Sequence, residues 1–571
     1  MIIDKENFMD RRAFLRLVAT AGAVSGAGAL LAACNANERS SGATTTAATA
    51  PGGTLYVLQD SATNTFDPAK SQSLAITSLA LVHRRLTSWD IRPGVTATVV
   101  PDLATDTGTP SDGGATWTFT LKDGLRFSDG SPITSADVKW GVERSFSPAF
   151  SQGLTYHKSL LVGGGDYRGP FEGQELSSIE TPDEKTIVFR LARPYGDWTW
   201  IASTPAFAPV PRNTGAEANY GEHPVGSGPY QVQSYQQGVG ATLVRNPNWD
   251  KATDQVRTGL PDQVVFQFSQ DRTVISQRLA ADSGDDRFAF GASFVAAATL
   301  AQLEGNPAVK QRVVTSDAGA LAMLVMNTQK GPLADPAVRT AFQYAVDRSA
   351  FQVAAAGSAA LAGEVATTLI TPGIAGRETY DLYPTQPAGD PEKAKQMLAA
   401  AGHPDGLPGL SLLVSTSNGG ADRAQAVGAA LARAGIQVSI RPLDSDAFTA
   451  EVTGAQANYD LAYFSWQPDF PSPNGNIQPL FASGEIGNGG YNISRYSNAE
   501  VDALIADAQA TVDPVEAGRK WAAVDRRIMQ DSPVVPLIYT RNSFLRGSKV
   551  GDFFVAAFPA YPNYLKVGIT P

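Results

Sequence analysis

Alternating hydrophobic and polar positions mark the first part of the chain. GGTLYVLQD at residues 52–60, TWTFTLKDG at 116–124 and KTIVFRLARP at 185–194 place apolar side chains at every second residue. This period of two is typical of β-strands with one buried face. Asp-Gly pairs in the same region predict turns at Gly124 and Gly130. The first part of the chain is therefore predicted to be rich in strands.

Helical spacing becomes frequent further along the chain. A capping residue precedes each of five predicted helices, which begin at Thr134, Asp335, Asp390, Ser497 and Asp513. One of them covers the whole of DPAVRTAFQYAVDRSAF at residues 335–351, with a proline in its first turn. Strand candidates alternate with these helices at 410–416, 436–443 and 459–466. The second half is therefore predicted to consist of α/β units around a mixed sheet.

The only long apolar run lies near the start of the chain. It follows Arg11 and Arg12 and is rich in Ala and Gly, which indicates an export signal over residues 1–33 rather than a permanent membrane helix. DRRAFLR at residues 10–16 resembles the twin-arginine signal. Asp10 departs from that pattern, so the twin-arginine and general export routes both stay open.

LAAC at residues 31–34 resembles a bacterial lipobox, in which Cys34 is acylated and becomes the first residue of the mature protein. The alternative is an accidental cysteine in an apolar signal. Residues 34–53 are small and polar, and they predict a flexible tether before a folded part that begins near Thr54. We expect a protein held by lipid to the outer face of the cell membrane.

Composition excludes several classes of function. A chain of 571 residues is too long for one core and predicts two or more structural units. The formal net charge of −10 argues against a nucleic-acid partner, which would require patches of Lys and Arg. Cys34 is the only cysteine, so no disulfide can form within the chain.

Motifs for catalysis are not found in the sequence. There is no G-x-S-x-G elbow and no H-E-x-x-H motif, and the four histidines share no ligand spacing. The sequence therefore predicts no enzyme activity, no metal and no cofactor. The two carboxylates of a glycoside hydrolase are brought together by the fold and need no fixed spacing in the sequence. A secreted hydrolase therefore stays a less favoured alternative.

Several phrases line up, in order, with one protein family. They are PDLATD at 101–106, TWTFTLKDGLRFSDGSPITSADVKWGVER at 116–144, HPVGSGPYQVQSY at 223–235, VRNPNW at 244–249 and MNTQKGPLADPAVRTAFQYAVDRSAF at 326–351. Together they resemble family 5 of the extracellular solute-binding proteins, the oligopeptide and dipeptide receptors of ABC importers. The resemblance extends from about Thr54 to the C-terminus.

The resemblance implies an α/β, two-lobed periplasmic-binding-protein type II fold with an extra subdomain inserted in the first lobe. Lobe I would comprise residues 52–96, 209–320 and 536–571. The inserted subdomain would be 97–208, and lobe II would be 321–535. Such a receptor would be a monomer that closes on its ligand and delivers it to an ABC permease.

The resemblance also implies a peptide site. In the family pattern a carboxylate three residues after a Trp meets the ligand's α-ammonium, which assigns this role to Asp469 and makes Trp466 a wall of the cleft. Tyr156 would be a second cleft residue, and Ser73 in KSQSL would contact the ligand. Pro468 and Ser472 depart from the pattern.

Other interpretations of the site stay open. Asp469 could accept bonds only from its own turn, and Trp466 could be a core residue at the end of a strand. A non-peptide ligand, such as an oligosaccharide, an opine-like compound or a metal chelate, is the alternative to a peptide or another amine-bearing solute.

Overall fold

The strand Thr54–Leu58 lies inside a five-stranded sheet in the computed structural model, which describes residues 49–487 and 489–571. Two parallel neighbours and an antiparallel extension complete this sheet, in the order Ala289–Gly291, Thr54–Leu58, Gln263–Gln267, Gly240–Arg245 and Tyr230–Gln236. The predictions for Arg11, Arg12 and Cys34 lie outside the described residues. Near the end of the predicted tether, the Ala50 amide donates to the Ile569 carbonyl at 3.0 Å.

A six-stranded mixed sheet organises the second half. Its order is Gly363–Val365, Val534–Thr540, Ala320–Met326, Leu461–Trp466, Leu407–Ser415 and Ile436–Leu443. Every residue of Ala320–Met326 is buried, because helices cover both faces of the sheet. The three strands predicted in this half are all present, so the prediction of a mixed α/β sheet is confirmed.

Smaller sheets complete the β-structure. A four-stranded sheet has the order Thr109–Ser111, Thr116–Thr120, Thr186–Arg190 and Ile179–Glu180. Two-stranded sheets pair Thr87–Asp90 with Thr98–Pro101, Val313–Thr315 with Ser543–Leu545, and Val550–Gly551 with Gly568–Ile569. Gly124 and Gly130 have φ angles of +75° and +89°, which fits the turns predicted there.

The α-helices lie mainly around the six-stranded sheet and between the smaller sheets. They are Leu79–Val82, Ser135–Arg144, Tyr156–Leu160, Trp198–Ile201, Arg272–Ala281, Ala297–Glu304, Pro307–Lys310, Pro336–Ala345, Arg348–Ala356, Ala359–Ala362, Pro391–Ala400, Gly420–Arg433, Ser445–Thr453, Pro473–Phe481, Ala499–Ala510 and Pro514–Asp531. Within residues 49–487 and 489–571, none of the helices has the length and apolar character needed to cross a membrane.

Two helix predictions were wrong in detail. The segment 335–351 is two helices rather than one, because the chain leaves helical geometry at Val346 and Asp347 caps a second helix by accepting from the Ala350 amide at 2.8 Å. The helix predicted to begin at Ser497 is capped instead by Asn498, whose side chain accepts from Glu500 and Val501. Local capping chemistry displaced both boundaries.

Two adjacent segments connect the two-stranded sheet of Val313–Thr315 and Ser543–Leu545 to the six-stranded sheet. The Gly319 amide donates to Thr540 O at 3.0 Å, and the Ser316 amide donates to Asn542 O at 2.8 Å. A Cβ at Gly319 would lie 1.8 Å from Ala557 O, so only glycine fits there. The lobe boundaries stay a prediction. The strand Val534–Thr540 spans the predicted boundary between lobe II and lobe I at residues 535–536.

Candidate functional site

Asp469 lies in the loop between the strand Leu461–Trp466 and the helix Pro473–Phe481. Its Oδ2 accepts a 2.6 Å hydrogen bond from the Tyr156 hydroxyl, although the two residues are 313 positions apart in the chain. The fold thus brings together two of the predicted site residues. Because Tyr156 belongs to the predicted inserted subdomain and Asp469 to the predicted lobe II, this bond joins the two regions.

The second oxygen of Asp469 has spare acceptor capacity. Its Oδ1 receives no hydrogen bond from the residues that the structure describes, and the side chain is only half-buried. Burial raises the pKa of Asp469, and the hydrogen bond from Tyr156 lowers it. A carboxylate with one oxygen oriented and the other unoccupied is suited to pair with a cation.

Trp466 forms part of an aromatic cluster at the end of the strand that precedes Asp469. Its ring stacks on Phe464 with a centroid separation of 6.1 Å and lies 5.3 Å from the ring of Tyr491. The Trp466 Nε1 group donates to Gly475 O at 2.8 Å. Trp466 is half-buried and Tyr491 is 36% exposed, so the cluster presents apolar surface rather than being sealed in the core.

Ser73 forms no hydrogen bond with Asp469, Trp466 or Tyr156 in the described part of the chain. Its amide donates to Ser71 Oγ at 3.0 Å, and its carbonyl accepts from the buried Arg85 at 3.3 Å. The backbone amide and carbonyl of Ser73 therefore both form hydrogen bonds within the protein. The neighbouring Gln72 side chain donates to Gln152 O at 2.7 Å, so the loop does lie close to the segment that precedes Tyr156.

Ser472 and Pro468, the two departures from the family pattern, both have structural partners. The Ser472 hydroxyl accepts from the Asn474 amide at 3.2 Å and caps the helix Pro473–Phe481. The same hydroxyl donates to Asp197 Oδ2 at 2.6 Å. Pro468 packs against Gly475, where a Cβ would lie 2.7 Å from the proline ring.

Asp197 is a second carboxylate at this boundary, and sequence reasoning missed it. It precedes the helix Trp198–Ile201 without capping it, so its side chain is available to Ser472. Burial raises its pKa to about 6, while the hydroxyl of Ser472 and the amide of Asn474 lower it. No local motif marks Asp197, since its partner is 275 residues away.

A chain of buried polar groups extends from Asp197. Asn474 Nδ2 donates to the Tyr195 hydroxyl at 2.6 Å, and Gln509 Nε2 donates to Asn474 Oδ1 at 3.1 Å. Arg193 donates to Gln509 Oε1 at 2.8 Å, and the Gly196 amide donates to Gln509 O at 2.7 Å. These bonds fasten residues 193–197 to two helices of the predicted lobe II.

The chemistry available at the site is that of binding. Within the described part of the chain, no group of three or more His, Cys, Asp or Glu side chains is arranged to hold a metal ion. His83 and His157 are fully buried, and burial lowers the pKa of each to about 3, so both are neutral at pH 7. An oriented carboxylate and exposed aromatic side chains can offer polar and apolar contacts to a solute.

A five-stranded and a six-stranded sheet packed with helices, a smaller four-stranded sheet and an oriented carboxylate in a loop after the six-stranded sheet define a two-lobed binding protein of the periplasmic type II class. The chain matches the bacterial extracellular solute-binding proteins, family 5 (middle), over residues 98–488. It belongs to this family.

Comparison with individual proteins agrees with this assignment. A solved structure of clavulanic acid biosynthesis oligopeptide binding protein 2 is 32% identical, covers 92% of this chain and 97% of its own, and has a TM-score of 0.82. The glutathione-binding protein GsiB of Salmonella paratyphi A is 29% identical over 463 residues, which is 78% of this chain and 82% of GsiB. DppA from Helicobacter pylori, solved with the peptide STSA, shares the fold with a TM-score of 0.70 at 21% identity.

Proposed function

We propose that this protein captures short peptides, or peptide-like solutes with a free amino group, between its two lobes. Asp469 pairs with the ligand's α-ammonium, Tyr156 orients the carboxylate, and the cluster of Phe464, Trp466 and Tyr491 lines the adjoining wall. The single observation that carries this proposal is the Asp469 carboxylate, with Oδ2 held by Tyr156 and Oδ1 open. An ammonium placed against Oδ1 would complete its hydrogen bonding.

Relatives support the peptide class. The 32% identical solved structure is described as an oligopeptide-binding protein, and the 29% identical relative is described as binding glutathione, which is itself a tripeptide with a free α-amino group. Both descriptions agree with a site built around a carboxylate.

Closure supplies the mechanism of capture. A ligand shifts a protein towards its closed form only as far as it binds that form more tightly. The Tyr156–Asp469 bond spans the boundary between the predicted inserted subdomain and lobe II, so an ammonium at Asp469 contacts a site assembled by both regions. Binding and closure are therefore coupled, and the energy for transport comes from a partner ATPase.

The envelope location completes the proposal. Acylation at Cys34 would tether the protein to the outer face of the cell membrane through residues 34–53, near the ABC permease to which it delivers ligand. Metabolic labelling with a radioactive fatty acid tests the anchor. Label should enter the wild-type protein and be absent from Cys34→Ala, whereas label in both proteins would contradict it.

The peptide function is tested by calorimetry with matched ligands. Tri- and tetrapeptides with free amino termini should bind, and the same peptides acetylated at the amino terminus should bind at least a hundredfold more weakly, because acetylation removes the charge that meets Asp469. Equal affinity for both forms would overturn the role of the amine. Mass spectrometry of solute released from the purified protein on denaturation would reveal a non-peptide ligand directly.

A further inference from the structure

A cavity of about 90 Å³ lies in the second half of the chain, among residues of the six-stranded sheet and of the loop over residues 365–387. Its lining includes Gln343, Arg348, Thr367, Asp381, Tyr383 and Thr385. None of these residues belongs to the site around Asp469. The volume is well below that of sites for drug-sized ligands, so the cavity suits a small solute.

Arg348 places a buried positive charge on the cavity wall. Its side chain is 6% exposed, and it donates from Nε to Pro536 O at 3.0 Å and from Nη1 to Gln343 O at 3.4 Å. Its Nη2 group donates to none of the described residues, and no described carboxylate lies within 4.0 Å of the guanidinium. Burial lowers the pKa of Arg348 to about 10, so it stays charged at neutral pH. A buried cation without a carboxylate partner favours an anion in the cavity.

Asp381 supplies a negative charge to the same cavity. It is exposed, and its Oδ1 accepts from the Tyr383 amide at 2.9 Å, which orients the carboxylate. Arg348 and Asp381 interact electrostatically, yet they form no ion pair within 4.0 Å. The cavity is therefore lined by a buried cation and an exposed anion that do not form an ion pair with each other.

We propose that this cavity is a second binding site, for a free α-amino acid of the size of glycine or alanine. The amino acid's carboxylate pairs with the open Nη2 of Arg348, and its ammonium pairs with Asp381. A zwitterion satisfies both charges at once, which neither a simple carboxylate nor a simple amine does. The small volume favours amino acids with the smallest side chains.

Equilibrium dialysis with radiolabelled glycine tests the proposal. The wild-type protein should bind one equivalent of glycine saturably. Asp381→Asn should weaken binding about tenfold through loss of one charged hydrogen bond, and Thr385→Phe, which replaces a small lining side chain with a large ring, should abolish it. Acetate and methylammonium should compete poorly, since each meets only one of the two charges. The melting temperature of each variant, measured without glycine, reports whether the fold is kept.

Asp469→Ala is the control for the other site, because glycine's ammonium could also meet Asp469. Glycine binding that survives this substitution and is lost in Thr385→Phe supports the cavity. Four results overturn the proposal: no saturation with glycine, unchanged binding in both cavity variants, loss of binding in Asp469→Ala, or acetate binding that equals glycine and ignores Asp381→Asn. Arg348→Lys is a further variant: it keeps the positive charge but removes the guanidinium that we propose to pair with the amino acid's carboxylate.

Discussion

Two carboxylates, Asp469 and Asp197, lie at the boundary between the predicted inserted subdomain and lobe II, and each accepts a 2.6 Å bond from a hydroxyl on the opposite side. Their surroundings differ. Asp197 bonds Ser472, which is 2% exposed, at one end of a polar chain that continues through Asn474, Tyr195 and Gln509. Asp469 has one hydrogen-bond partner among the described residues, and its Oδ1 accepts from none of them.

The difference separates a structural contact from a recognition group. Asp197 also interacts with the amide of Asn474 besides Ser472, so groups of the protein account for its side chain and no ligand is needed to explain it. An oriented carboxylate with spare acceptor capacity is the kind of group that a ligand completes. We therefore expect substitutions near Asp469 to change ligand affinity, and substitutions near Asp197 to change stability and closure.

The largest effect is expected from Asp469→Ala. If the carboxylate pairs with a buried ammonium, its removal should cost about 3–5 kcal/mol of binding free energy, which is roughly a hundred- to several-thousand-fold in affinity. The melting temperature of the empty protein should change little, because Asp469 makes only one described hydrogen bond. Calorimetry with a peptide ligand checks this, and unaltered affinity would contradict the assignment.

Ser472→Ala should produce the opposite pattern. The hydroxyl both caps the helix Pro473–Phe481 and donates to Asp197, so its loss should lower the free energy of unfolding by about 1–3 kcal/mol. Urea denaturation measures this. Ser411→Ala is the matched control. It also removes a hydroxyl that donates to a carboxylate, but both residues lie within the predicted lobe II, so it affects stability without breaking a contact at the boundary. A variant as stable as the wild type would remove the structural role given to Asp197.

Tyr156→Phe should reduce peptide affinity about tenfold. The substitution removes the one described donor to Asp469 but keeps the ring, which packs edge-on against Phe470 at 5.4 Å. Tyr167→Phe is the matched control, since its hydroxyl bonds Gln174 O in the same predicted subdomain and away from Asp469. Equal affinities for the two variants, measured by calorimetry, would show that Tyr156 does not orient the carboxylate.

Structural features that depend on residues close together in the chain were predicted from the sequence, whereas contacts between residues far apart in the chain were missed. The caps at Thr134, Asp390 and Asp513 are confirmed, because a cap and the amide it accepts from are three residues apart or fewer. The split at Asp347 was missed although its cap is local, since apolar residues at helical spacing continue through the break. Asp197 was missed because its only marker is Ser472, 275 residues away.

The smallest expected effect is a dependence of ligand affinity on pH that Asp197 controls. Burial where the two regions meet raises the pKa of Asp197 from 3.8 to about 6. A form in which Asp197 is buried at this boundary therefore binds a proton more tightly than an open form in which Asp197 lies in water. The ionised carboxylate therefore opposes closure above pH 6, and this penalty is relieved as the pH falls from 7 to 5. The gain in affinity is at most about tenfold.

Asp469 acts in the opposite sense, because it must be ionised to meet an ammonium and burial raises its pKa as well. The two contributions are separated by comparing wild-type protein with Asp197→Asn, which keeps an acceptor for Ser472 and removes the titration. The ratio of wild-type to variant affinity for one peptide should rise from pH 7 to pH 5. Calorimetry at pH 7 and at pH 5 measures this ratio. A constant ratio would mean that Asp197 has the same environment in the open and closed forms. The boundary between Asp197 and Ser472 would then not open when ligand leaves.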